Sequence, residues 1–326
     1  MSSIKLGRLI CFAALIAMLT FGWLNANAIS DWLKLRGYSP SPQISTLAAE
    51  DTMTAYTKHL FYVDHPQLIA SVNEFRQDCP DSPSTIVLGC YHPGLNGIYI
   101  YNVASPKLAG VTQVTAAHEV LHAVYERLSS SDRSKLNSEL EEYYKNKLSD
   151  PRVLDEVRIY QQTEPNDVYD EMSCTFGTEI ANLPTSLSDY YKKYFGDRLK
   201  VVAYETQYES AFTSRQAELS ADDIKLSILK SQIDSQQAEL QVQLSQINSD
   251  KARLDSERAA GDYSSYNSGV LAYNSEIDAY NSKVNQLRLN ISTYNSLVAQ
   301  RNQIATDLAA LQKSLDTRTV PQAVGR

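Results

Sequence analysis

From Leu219 onward an apolar residue falls on every seventh position. Leu219, Leu226, Ile233, Leu240, Ile247 and Leu254 form one run, Ala259-Ala-Gly-Asp-Tyr263 interrupts it, and Val270, Ile277, Val284, Ile291 and Val298 form a second run in the same rhythm. A seven-residue period sustained this long constrains a chain to helices packed along one seam, as in coiled coils. The glycine-containing break predicts an antiparallel hairpin with its tip at 255–270 and arms of about 50–60 Å at the standard rise. The second run carries a companion seam offset by three, Tyr266, Tyr273, Tyr280, Leu287 and Tyr294, while in the first run Leu229 gives way to Gln236, Gln243 and Asp250. The hairpin is expected over 208–318, followed by a disordered tail at 319–326. Its role reads either as a spacer or docking arm, through self-association or a cell-envelope partner, or as a solvated hairpin without a partner.

The other two thirds of the chain have a different character. Residues 115–123 read Thr-Ala-Ala-His-Glu-Val-Leu-His-Ala and contain His118-Glu119-x-x-His122. Val114, Ala116, Ala117, Val120, Leu121, Ala123 and Val124 make this a strongly apolar helix, in which an imidazole needs a partner. Residues i and i+4 share a helix face, so His118 and His122 can converge on one metal ion with Glu119 beside them. Zinc suits two imidazoles and a third protein ligand, with a fourth position left for water. The chain has only five histidines, and none follows His122. The third ligand is therefore expected to be a carboxylate from a later helix. Glu171, 49 residues after His122, opens the largely apolar stretch that holds Met172, Phe176, Ile180 and Leu183. Glu179 is the rival two turns along, and Glu164 and Asp170 are weaker candidates.

His118-Glu119-x-x-His122 followed by Asp170-Glu171-Met-Ser173 resembles the gluzincin branch of the zincin metallopeptidases, and the short span is similar to the compact bacterial minigluzincins. The downstream signature of that group is often Asn-Glu-x-x-Ser/Ala, sometimes followed by Asp. Here Asp170 replaces the Asn, and Cys174 stands where the acid would follow. The resemblance covers residues 51–205 and is specific at the two motif segments. It implies a small helix-rich α+β domain with a short sheet and an extended peptide or protein substrate. It also implies Zn2+ on His118, His122 and Glu171, with Glu119 as the catalytic base. Gly97-Ile-Tyr-Ile-Tyr-Asn-Val103 alternates as a strand should and is expected to be either a plain structural strand or the edge strand on which zincins bind peptide. Ser84–Gly89 is its expected neighbour, with Tyr91–Gly97 as the turn.

Zinc would polarise the scissile carbonyl and acidify its water, and Glu119 would take that proton and deliver it to the leaving amine. Tyr160, Arg158 and Tyr169 are near the glutamate segment, and nothing in the sequence selects one of them to steady the oxyanion. The alternative reading is a cell-envelope scaffold or adaptor that works through its coiled coil, with an inactive zincin-like domain.

Lys5 and Arg8 precede an apolar run from Leu9 to Leu24, with Ala26-Asn27-Ala28 after it. Residues 1–28 therefore read as a signal anchor or a cleaved signal peptide. The expected localisation is the cell membrane, single-pass with the rest extracytoplasmic, or secretion after cleavage. Residues 29–50, with Ser39-Pro-Ser-Pro42, read as a juxtamembrane linker, and 51–207 as the peptidase-like domain. Cys79 and Cys90, 11 residues apart, are expected to be bridged, and Cys174 to be a small buried residue. A net charge of −8 offers no basic face for nucleic acid.

Overall fold

The computed structural model describes residues 20, 25–79, 86–93 and 97–318. Among them are eleven α-helices and one three-stranded sheet. The chain divides into two compact units, Met1–Ser210 with Lys313–Arg326, and Ala211–Gln312.

The first unit opens with α1 (Ala26–Leu35), α2 (Pro42–Glu50) and α3 (Ala55–Val63), then β1 (Gln67–Ile69), α4 (Val72–Asp78), β2 (Gly89–His92) and β3 (Gly97–Tyr101). A 3-10 turn (Pro106–Leu108) leads into α5 (Val111–Glu126), α6 (Ser130–Asn146), α7 (Pro151–Thr163), α8 (Val168–Glu179), α9 (Thr185–Tyr191) and the first turns of α10 (Arg198–Ala259). Helix starts are set by short side chains. Ser41 accepts from Ile44 N ahead of Pro42, Ser129 accepts from Asp132 N, and Asp150 accepts from Arg152 N ahead of Pro151.

The core lies between α5 and α8. Ala116, Ala117, Val120, Leu121 and Val124 of α5 are buried with Met172, Cys174 and Phe176 of α8. The C-terminal end of α8 is closed by the buried Arg198, whose guanidinium donates to the carbonyls of Gly177 (3.2 Å), Ile180 (2.6 Å) and Ala181 (2.8 Å). A cation there satisfies carbonyls that a helix end leaves without partners.

The expected α+β class is corrected to a predominantly helical fold. The reason is strand length: β1, β2 and β3 have three, four and five residues. The sheet order is β1-β3-β2, with β1 parallel and β2 antiparallel to β3. The Gly97–Tyr101 strand is thus central, and the edge beside it is β2, which includes part of the segment read as a turn.

The expected linker at 29–50 is folded. Asp31 is buried and accepts from Arg127 at 2.6 Å, with His59 Nε2 at 3.1 Å, and Ile44, Leu47 and Ala48 enter the core. Pro42 is the first residue of a helix, which is why a proline-serine stretch is no break here.

The membrane-spanning helix and single-pass localisation are also corrected. Among the described residues no helix is long and apolar enough to cross a membrane. The first described helix, α1, is tied to the first unit through the buried Asp31, while Ile29, Trp32 and Leu33 are exposed. Apart from Thr20, the Leu9–Leu24 run lies outside the described residues, as does the expected tail at 319–326.

Residues 313–318 return to this unit. Thr317 Oγ1 donates to Val87 O (2.7 Å) and accepts from Val87 N (3.1 Å), while Arg76 Nε donates to Thr317 O (2.6 Å). The segment therefore holds the chain just before the edge strand.

The second unit is the hairpin of α10 and α11 (Tyr263–Leu315). Leu219, Ile233, Leu240, Ile247 and Leu254 are buried along its seam. Where the first arm turns polar, the partner arm answers: Asn290 donates to Gln236 at 2.9 Å, and Gln300 donates to the buried Asp222 at 3.2 Å.

Candidate metal centre

Helix α5 starts at Gly110, which has φ +104° and approaches α10 so closely that a Cβ would lie 2.6 Å from Tyr204 O. One turn separates His118 from His122, and both rings are partly exposed between the buried residues of α5. Their centroids are 5.1 Å apart. Glu171, near the start of α8, reaches both: His118 Nε2 is 3.5 Å from its Oε2, and His122 Nε2 is 3.6 Å from its Oε1. These separations are long for direct hydrogen bonds. Donors that share one tetrahedral ion at about 2.0–2.1 Å stand about 3.4 Å apart, so each nitrogen-to-oxygen separation is one that a shared divalent ion would give.

The preceding residue completes the arrangement. His122 Nδ1 lies 2.9 Å from Asp170 Oδ1. A carboxylate only accepts, so Nδ1 carries a proton, and Nε2, which faces Glu171, is the nitrogen left to bind a metal. Cys174 Sγ is also within metal-ligand distance of the two histidines. It is buried, however, and contacts Asp170 Oδ1 at 3.8 Å. That places the thiol on the Nδ1 side of His122, and the carboxylate of Glu171 remains the better third donor.

Charges in the cluster are mutually adjusted. Burial raises the Glu171 carboxyl, but His122 and His118 outweigh it and hold the group down at about 2. Burial lowers both imidazoles, yet Glu171 leaves His118 raised, and Cys174, Glu171 and Asp170 leave His122 well raised. Burial raises Glu119 and pushes the Cys174 thiol well up.

Glu119 is buried against the edge strand. At Gly89, the first residue of β2, a Cβ would lie 2.5 Å from Glu119 Oε1 and 2.6 Å from Thr115 Cγ2. Glycine is what lets β2 come this close. Two residues on, the Tyr91 ring is parallel to that of His122, with centroids 6.5 Å apart, and its hydroxyl donates to Glu126.

Glu179, the rival ligand, is instead paired with Arg152, and Glu164 is a hydrogen-bond neighbour of Glu171. The remaining histidines are placed elsewhere: His59 on Asp31, His65 on Lys34 O at 2.8 Å, and His92 on Asp78 O at 2.7 Å. Arg158 pairs with Asp155, and the Tyr160 hydroxyl donates to Glu156 at 3.0 Å. Sequence reasoning weighed Asp170 as a ligand and missed it as the group that orients His122. Its adjacency to Glu171 was the available signal, since consecutive residues at a helix start can face two rings at once.

The chain matches no protein-family model, no curated protein and no solved structure.

Proposed function

We propose that the chain is a zinc-dependent peptidase, with His118, His122 and Glu171 as the ligands and Glu119 as the base. One observation carries the reading: each imidazole Nε2 lies 3.5–3.6 Å from one oxygen of the Glu171 carboxylate, while Asp170 holds His122 by Nδ1. Bound there, zinc supplies Lewis acidity toward a carbonyl oxygen and makes a water acidic near neutral pH. Glu119 takes the proton of the attacking water and passes it to the leaving amine. Asp170 keeps the proton on His122 Nδ1 and so keeps Nε2 free. Gly89 keeps room for the Glu119 carboxylate, a provision that a scaffold acting through its hairpin does not need.

The substrate on this reading is an extended peptide added to the edge of β2. Main-chain pairing along that edge gives affinity without demanding a particular sequence, and it lays the peptide past Gly89 and Glu119.

The test is metal content by mass spectrometry together with peptide-library cleavage. Wild type and Glu119→Gln should both hold one zinc, and only the wild type should cleave. Absence of zinc from both proteins ends the reading, whereas zinc without cleavage by the wild type removes only the enzymatic part.

A further inference from the structure

A second group of soft donors lies at the other end of the edge strand. Cys79, at the end of α4, is joined to Cys90 on β2, with Cα atoms 6.0 Å apart. Residues i and i+2 of a strand share a face, so Cys90 and His92 project to the same side, toward α4. His92 Nε2 stands 3.4 Å from Cys90 Sγ and 2.7 Å from Asp78 O. The two sulfurs and a ring nitrogen of His92 all lie within 4.8 Å of one another, and all three residues are partly exposed.

We propose that Cys79, Cys90 and His92 form a thiol-dependent metal site that takes a soft divalent cation, Zn2+, when the Cys79–Cys90 bond is reduced. The disulfide and the metal complex are alternative states of the same two sulfurs. Two thiolates and one imidazole are a zinc-type donor set; once the S–S bond opens, the two sulfurs can move apart to receive an ion while His92 Nε2 already stands 3.4 Å from Cys90 Sγ. A fourth position is left for water or for the Asp78 carbonyl.

The exchange balances. A dithiol or phosphine reductant gives two electrons to the S–S bond, and the two sulfurs take up two protons. The reductant attacks one sulfur, and the other leaves as a thiolate and is protonated. Zinc then displaces both thiol protons to solvent. Ligation through Nε2 moves the ring proton of His92 from Nε2, where it donates to Asp78 O, to Nδ1. Either state ties β2 to the end of α4, so the strand that abuts Glu119 keeps its anchor when the covalent link is lost. The site shares no ligand with the α5 cluster, and its test does not depend on the function proposed above.

The experiment compares oxidised and phosphine-reduced full-length protein, each equilibrated anaerobically with Zn2+ and passed through a desalting column. Zinc per chain is measured by mass spectrometry and exposed thiols by alkylation. The reduced protein should hold one more zinc per chain than the oxidised protein, and that zinc should protect Cys79 and Cys90 from alkylation. In reduced His92→Ala the increment should be lost, with the helical circular dichroism unchanged. Replacing Zn2+ by Co2+ in the reduced wild type should give thiolate-to-metal charge-transfer absorption. A reduced wild type that gains no zinc, folded or not, overturns the proposal, as does an increment that persists in His92→Ala.

Discussion

Asp170 Oδ1 lies 2.9 Å from His122 Nδ1, and the next residue along the chain, Glu171, faces the other nitrogen of the same ring. On the peptidase reading, one turn of α8 both presents a ligand and aims its neighbour. Partners of this kind tune metal affinity without touching the ion. Asp170→Asn should weaken zinc binding about 10–100-fold by competition titration, with little loss of helical signal. Unchanged affinity would show that His122 is aimed by its packing alone.

Gly89 makes a different demand. A Cβ there would meet Glu119 Oε1 at 2.5 Å and Thr115 Cγ2 at 2.6 Å. The carboxylate is the softer of the two neighbours, so Gly89→Ala should displace Glu119 and leave the ligands in place. On the peptidase reading, zinc content holds while kcat/KM falls about 100-fold, the scale of an ångström's misplacement at a reacting group. Loss of zinc from this variant would mean that β2 supports the ligands themselves.

The sequence made the histidine pair legible because the period of a helix turns a spacing of four into a shared face. Glu171 followed from exclusion and from an acid opening an apolar helix. Whether Gly97–Tyr101 was a plain strand or the edge stayed open in the sequence, because three-residue β1, which covers its other side, is too short to show an alternation. The Ser39–Pro42 stretch looked like a break because a helix N-terminus and a stiff linker share the same residues. The hold of Thr317 on Val87 was invisible, since it pairs one side chain with a backbone 230 residues away. The hairpin seam was plain, but the sequence does not show that Gln236 on its first arm is met by Asn290 on the second.

A buried acidic group near the end of α8 governs pH dependence away from the metal centre. Glu205 is buried, with Arg152 at 3.3 Å. Burial first, and then the carboxylates of Glu209 and Glu156, push it up to about 7 against the pull of Arg152. The folded state thus binds a proton that the unfolded chain releases near the ordinary glutamate value. Below that value both states are protonated and the group costs nothing. As pH rises toward about 7 the unfolded state alone gains charge, and stability falls; above about 7 the loss is complete. Glu205→Gln should therefore be more stable than wild type at pH 8, on the order of 1–2 kcal/mol in urea unfolding. The difference should shrink to nothing by about pH 4.5. A gain of equal size at both pH values would exclude proton linkage as its source.

Gly110 fixes where α5 begins, and two constraints act on it together. Its φ of +104° is one that side chains rarely adopt, and a Cβ would lie 2.6 Å from the carbonyl oxygen of Tyr204, which is backbone and cannot swing aside. Backbone strain of this kind costs about 1–3 kcal/mol before any clash is added. Gly110→Ala should accordingly lose about 2–4 kcal/mol in denaturant unfolding. A smaller side chain than Ala does not exist among the L residues, so relief must come from α10 moving away at Tyr204. Tyr204 lies one residue from Glu205, so the same movement should loosen the Arg152–Glu205 pair. The variant's stability should then depend less steeply on pH between about 4.5 and 7 than the wild type's. A variant as stable as wild type would mean that α5 and α10 do not touch at this carbonyl.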